Sequence, residues 1–184
     1  MNALNNLGWG KHGEHADHPP VEFGQAANAL CAKALEDARA RLHPLNRSTD
    51  VRLLSQRIEF VQSFKRSLEQ RIAQKLAAWQ HGVQAVYSFD ESWVESRERW
   101  DGSIHLLVKV PRLLSAVRSL GKNLDKSLVE SLKQLGWSRF QKRHSVLDVQ
   151  QVTSSELRHG IGYGAMFSAV HSRPVKVWPH KGRA

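Results

Sequence analysis

The stretch from residue 83 to residue 153 constrains the fold more than any other part of the chain. Val83, Ala85, Tyr87 and Phe89 share one phase and Val86 lies on the other, as in a short, largely buried strand. Ile104-His-Leu-Leu-Val-Lys-Val110 reads as a second strand, stopped by Pro111. From there Leu114, Val117, Leu120, Leu124, Leu128, Leu132 and Leu135 recur three or four apart, and Gly136 follows. This pattern predicts a helix that begins at Pro111 and is capped by Gly136. Gly121 interrupts the stripe and predicts a split or a kink. A further strand over 145–153 carries Asp148 inside the apolar run Val146, Leu147, Val149. Two strands, a helix and another strand imply an α/β (α+β) fold, a small mixed sheet covered by helices.

The chain upstream reads as helical. Thr49 or Asp50 can cap a helix with the stripe Leu54, Ile58, Val61, Phe64, Leu68, Ile72, Leu76 and Trp79, ending at Gly82. That helix would be roughly thirty residues and about 45 Å long. An Ala-rich helix over 21–42 precedes it and breaks at Pro44. The organisation expected is a flexible terminus (1–20), a helical extension or hairpin (21–64), a folded domain (65–178) and a basic tail (179–184). The first half of the long helix can project, pack on its predecessor, bind a helical protein partner or form a homodimer.

The order of elements carries a resemblance. Val86-Tyr-Ser-Phe89 ends a strand, and Glu91-Ser92 follows it. Gly102-Ser103-Ile104-His105-Leu106-Leu107-Val108 opens the next, and Asp148 stands in a third. This layout is similar to the small nucleotidyltransferases of the DNA polymerase beta superfamily, the minimal antitoxin-like and aminoglycoside-modifying kind. There a strand ends in Phe-Gly-Ser, the next begins Ser-Asp-x-Asp before an apolar run, and a third Asp follows a helix. Residues 155–157 and 175–177 resemble the closing helix and short strand, so the likeness covers roughly residues 65–178.

By this resemblance Ser92, Ser103, His105 and Asp148 occupy the catalytic positions, and the chain departs from the pattern at most of them. Two Asp at i and i+2 of a strand face the same way and can hold one magnesium ion, which prefers carboxylate oxygens in octahedral geometry. Ser103 and His105 stand there instead. A hydroxyl is a weak ligand, and imidazole suits zinc, copper or iron. Glu91 replaces the glycine that lets backbone amides reach phosphates, and its carboxylate repels them. A surviving metal site would draw on Asp148 with Asp101 and Glu91, or Asp90, and magnesium is implied only if catalysis survives. The resemblance therefore implies a degenerate, non-catalytic domain, with an active nucleotidyltransferase and an antitoxin-like interaction protein as alternatives.

Charge points to the partner. The formal net charge is +10, and from residue 139 onward eight Lys or Arg face only Asp148 and Glu156. Arg139, Lys142, Arg143 and His144 lie among Trp137 and Phe140, whereas Arg173, Lys176, Lys181 and Arg183 accompany Trp178. Basic groups interleaved with aromatics suit phosphate neutralisation and base stacking. The expected partner is nucleic acid or a nucleotide, and a solvated basic surface is the plainer alternative.

Two other features are weaker. His12, His15 and His18, with Glu14 and Asp17 between them, form either a transition-metal cluster or a flexible terminus. Gly160-Ile-Gly-Tyr-Gly164 can cradle a phosphate, but it lacks the Lys-Ser/Thr of a P-loop, and a turn into a helix over 165–170 explains it equally well. No apolar run is long enough to span a bilayer, no secretory signal is evident, and Cys31 is the single cysteine. The expectation is a cytoplasmic protein of 184 residues with one sizeable core.

Overall fold

The structure, a computed structural model, describes residues 20–42, 50–89, 102–169 and 173–179. Helix α1 (Pro20–Ala40) and helix α2 (Asp50–Trp79) precede strand β1 (Ala85–Ser88) and strand β2 (Ile104–Val110). Helix α3 (Ser115–Gln134), the single turn α4 (Ser138–Gln141) and strand β3 (Leu147–Thr153) follow. Helix α5 (Ser154–His159), a 3-10 segment (Gly162–Ser168) and strand β4 (Val175–Trp178) complete the chain. The four strands form one mixed sheet in the order β3-β2-β1-β4. Strands β1 and β2 are antiparallel, β2 and β3 are parallel across the α3 crossover, and β4 pairs antiparallel with β1. The α+β architecture and the helical N-terminal region read from the sequence are both present.

The period-2 pattern of β2 divides the molecule. Ile104, Leu106, Val108 and Val110 are fully buried against α1, α2 and α3 in the main core, with Phe64, Leu68, Ile72, Leu124, Leu128 and Leu132. Leu107, on the opposite phase, joins Phe89 and Val152 in a smaller cluster closed by Tyr87, Leu157, Met166 and Phe167. Packing, rather than intrinsic propensity, thus fixes both faces of the strand.

The hairpin of α1 and α2 belongs to the main core. Phe23, Ala27, Cys31, Ala34 and Ala38 line the buried stripe of α1. Burial pushes the Cys31 thiol up to about 12, so it stays protonated. At the far end the Ser67 hydroxyl donates to Asp37, and Arg71 Nη2 approaches Asp37 Oδ2 at 2.7 Å. The Ser67 hydrogen bond, followed by the Arg71 guanidinium, holds the Asp37 carboxyl below its usual range. Helix α2 runs unbroken across residues 64 and 65, so extension and sheet share one helix. Its first described turns leave Leu53 and Leu54 exposed.

Helix α3 departs from expectation in two ways. It starts at Ser115 rather than Pro111. The backbone at Leu114 is extended, and the Gln151 side chain of β3 takes both polar groups of that residue: Leu114 N–H donates to Oε1 at 2.9 Å, and Nε2 donates to the Leu114 carbonyl at 2.9 Å. This amide clamp replaces the first helical turn. Second, Gly121 neither splits nor kinks the helix. A methyl group there would lie 2.9 Å from Val149 Cβ, so the glycine lets α3 sit directly on β3. We expect Gly121→Ala to lower stability by about 1–2 kcal/mol, because overpacking against a β-branched side chain outweighs the better helix propensity. In a Val149→Gly background, which removes the Cβ itself, the same change should become neutral or stabilising. Urea unfolding of the two pairs measures this, and equal losses in both backgrounds would refute the close-approach explanation.

The glycines at 160–164 have structural work to do. Thr153 and Glu156 form a reciprocal capping box at the start of α5, and Gly160 ends that helix at φ +63°. Gly164 packs so closely on the Glu156 carbonyl that a Cβ would overlap it at 2.1 Å. The turn is therefore folded back on α5, and the 3-10 segment takes the place of the helix expected over 165–170.

Candidate functional site

The parallel register of β2 and β3 sets His105 beside Asp148. Both point away from the main core, on the phase of Leu107 and Val152. His105 Nδ1 lies 3.6 Å from Asp148 Oδ2, too long for a hydrogen bond and an ion pair only when the imidazole is protonated. The other carboxylate oxygen, Oδ1, accepts from Gln150 Nε2 at 2.7 Å. The Phe89 ring, at the end of β1, is 5.6 Å from the imidazole, and the Phe89 amide donates to the His105 carbonyl. The side chains remain reachable from solvent, with His105 30% and Asp148 45% exposed.

Ser103 stands two residues before His105, and Arg143 Nη1 donates to its hydroxyl at 2.8 Å. Gly102, at φ +99°, lets Arg143 and the Phe140 ring close over this corner: a Cβ there would meet Phe140 Cε1 at 3.0 Å and Arg143 Nε at 3.1 Å. Asp125, in the middle of α3, fixes the other side. Its Oδ1 accepts from the amides of Val146 and Leu147 at 2.8 and 2.7 Å, the two residues that deliver Asp148. Neither Asp125 nor Gln151 stood out in the sequence, since polar residues in a helix and a strand ordinarily face water and their partners lie 21 to 37 residues away.

Among the described residues, the donors on this face do not fit magnesium. One carboxylate, already held by an amide donor, and one imidazole cannot supply the hard oxygen ligands that the ion demands. Imidazole with carboxylate would suit a softer ion, but among the described residues no group of three or more His, Cys, Asp or Glu gathers. What the pair can do is orient an imidazole toward solvent. Asp90, Glu91, Ser92 and Asp101, named above for this site, lie outside the described residues, as do His12, His15, His18, Lys181 and Arg183.

No protein-family model, curated protein or solved structure matches this chain. Its site is therefore read from its own residues.

The basic residues named from the sequence divide between two places. Arg139 belongs to α4, with its side chain outside the described residues, and Lys142 is exposed just beyond it. Arg143 is half-buried against Ser103. Arg173, which donates to the Ala169 carbonyl, and exposed Lys176 lie by β4 at the opposite edge of the sheet from β3. Three strand spacings separate those edges, about 14 Å.

The aromatics assigned to base stacking belong to the core. Phe140 is fully buried. Trp137 stacks on it at 5.7 Å and meets Phe64 and Phe60 edge-on at 4.9 and 6.0 Å. Trp178 also packs against the main core. Residues 137 and 140 are three apart around a helical turn and so face inward together, while Lys142 points out. Among the described residues, no helix is long and apolar enough to cross a membrane.

Proposed function

We propose that this chain is a degenerate, non-catalytic nucleotidyltransferase-like protein that binds nucleic acid or a nucleotide through its basic C-terminal half. The observation that carries the reading is the pairing of His105 with Asp148 on the open face of a mixed sheet. In the nucleotidyltransferase layout that face bears the metal-binding carboxylates, and here an imidazole stands in place of one of them. Gln150 donates to Asp148 Oδ1 and His105 lies 3.6 Å from Oδ2, so a single carboxylate with an imidazole beside it stands where the layout has paired carboxylates. The strand–strand–helix–strand order, with β2 parallel to β3, supports the likeness.

The charge supports the ligand. A net charge of +10 on 184 residues raises the local concentration of polyanions and speeds their encounter. Binding of labelled RNA and DNA by fluorescence anisotropy across a salt series tests the reading. The expected result is an association constant that falls linearly with salt on logarithmic axes, as displaced counterions require. Absence of binding at low salt, or binding indifferent to salt, would overturn it.

A further inference from the structure

From the outer face of α3 we infer that Arg118, Lys122 and Lys126, with His144 beside them, form the surface that holds the phosphodiester backbone of a nucleic acid. This rests on the nucleic-acid reading above and moves its centre from the basic residues beyond Arg139 to helix α3. The three cations stand at i, i+4 and i+8 and are all exposed. They span about 12 Å, the rise of three to four phosphates along one duplex strand.

The acids that would normally screen such a stripe are engaged elsewhere. Helix α3 contains two, Asp125 and Glu130. Asp125 Oδ1 accepts from the Val146 and Leu147 amides, and Glu130 pairs with Lys133 at 3.2 Å. Among the described residues, none of Arg118, Lys122 and Lys126 has an ion-pair partner. With Lys133 set against Glu130, the three cations keep an excess of two charges over Asp125.

A groove of about 410 Å³ runs beside the ridge, lined by Ser119, Lys122, Asn123, Lys126 and His144, with Phe23 and Asp125 also in its wall. Two cations and the neutral groups of Ser119, Asn123 and His144 thus meet there, and the one carboxylate, Asp125, has its Oδ1 turned to the Val146 and Leu147 amides. Lys and Arg supply counterion-releasing contacts, and Ser, Asn and His supply the hydrogen bonds that fix a backbone in register. The hydroxyl, amide and imidazole all project into the same groove, as a phosphate or ribose contact requires.

The test uses the full chain and three proteins: wild type, the variant Arg118→Gln/Lys122→Gln/Lys126→Gln, and a charge-matched control Arg39→Gln/Arg57→Gln/Arg66→Gln on exposed positions of α1 and α2. Thermal melts by circular dichroism establish that all three are folded. Single-stranded RNA and duplex DNA serve as probes over a salt series. The ridge variant should bind at least about tenfold more weakly, with a salt slope shallower by about 2 to 3, whereas the control keeps the wild-type slope within about 1. Equal losses in both variants would overturn the ridge and leave only net charge. A ridge variant that binds like wild type would do the same while the nucleic-acid reading stands. A wild type that binds neither probe would remove both.

Discussion

Phe140→Ala is expected to lower the unfolding free energy by about 3–5 kcal/mol, the usual cost of truncating a fully buried aromatic ring. That is a large part of the total stability of a domain this size, typically about 5–15 kcal/mol. The ring holds several parts together. It stacks on Trp137, which contacts Phe60 and Phe64 of α2, and it packs against Gly102 at the entry to β2. Removing it opens a void between α2, α4 and the start of the strand that carries His105. By contrast, Lys142→Gln, two residues on and exposed, should change stability by less than about 0.5 kcal/mol. Guanidinium unfolding of both variants checks the pair. If Phe140→Ala kept full stability and lost nucleic-acid binding, the ring would be a stacking platform after all.

The second large effect is expected at Asp125. Hydrogen bonds to a charged group contribute about 1.5–3 kcal/mol each, and the Asp125 carboxylate receives two, from the amides of Val146 and Leu147. Asp125→Ala should therefore cost about 3 kcal/mol, since the two bonds share one oxygen and their contributions do not simply add. Asp125→Asn keeps a carbonyl acceptor and should cost less than half as much. The loss has a local signature as well. Val146 and Leu147 immediately precede Asp148, so loosening them should move the His105 ring signals in the NMR spectrum. A cost below about 0.5 kcal/mol, with those signals unmoved, would show that α3 does not anchor the start of β3 through this carboxylate.

The fold was legible in the sequence where burial is two-sided or periodic. Strand β2 coincides with the run Ile104 to Val110, because its alternate positions are buried on one face and partly buried on the other. The long α2 followed from a stripe repeating every three or four residues. Asp148 stood out as a charge inside an apolar strand, and its neighbour across the parallel pairing is His105, as the candidate site requires.

Where the sequence misled, one pattern had two physical origins. A glycine in a helix can break it or let it touch a sheet, and only the position of Val149 decides for Gly121. Aromatics between cations can face a nucleic acid or a core, and the three-residue spacing of Trp137 and Phe140 turned both inward. The α3 ridge escaped notice because Asp125 and Glu130 interrupt its charge in sequence. Only the amides of β3 and the Lys133 ammonium show that these acids are engaged. Polar partners 21 to 37 residues apart, such as Asp125 with Val146 and Gln151 with Leu114, leave no local trace at all.

The most direct test of the central claim, that a sheet of this layout has lost its magnesium site and works through charge, is a magnesium titration followed by NMR at the Asp148 carboxylate and the His105 ring. Both sets of signals are expected to stay in place through millimolar magnesium. A saturable shift at Asp148 that disappears in Asp148→Asn would mean that the ion is held there, and would contradict that claim.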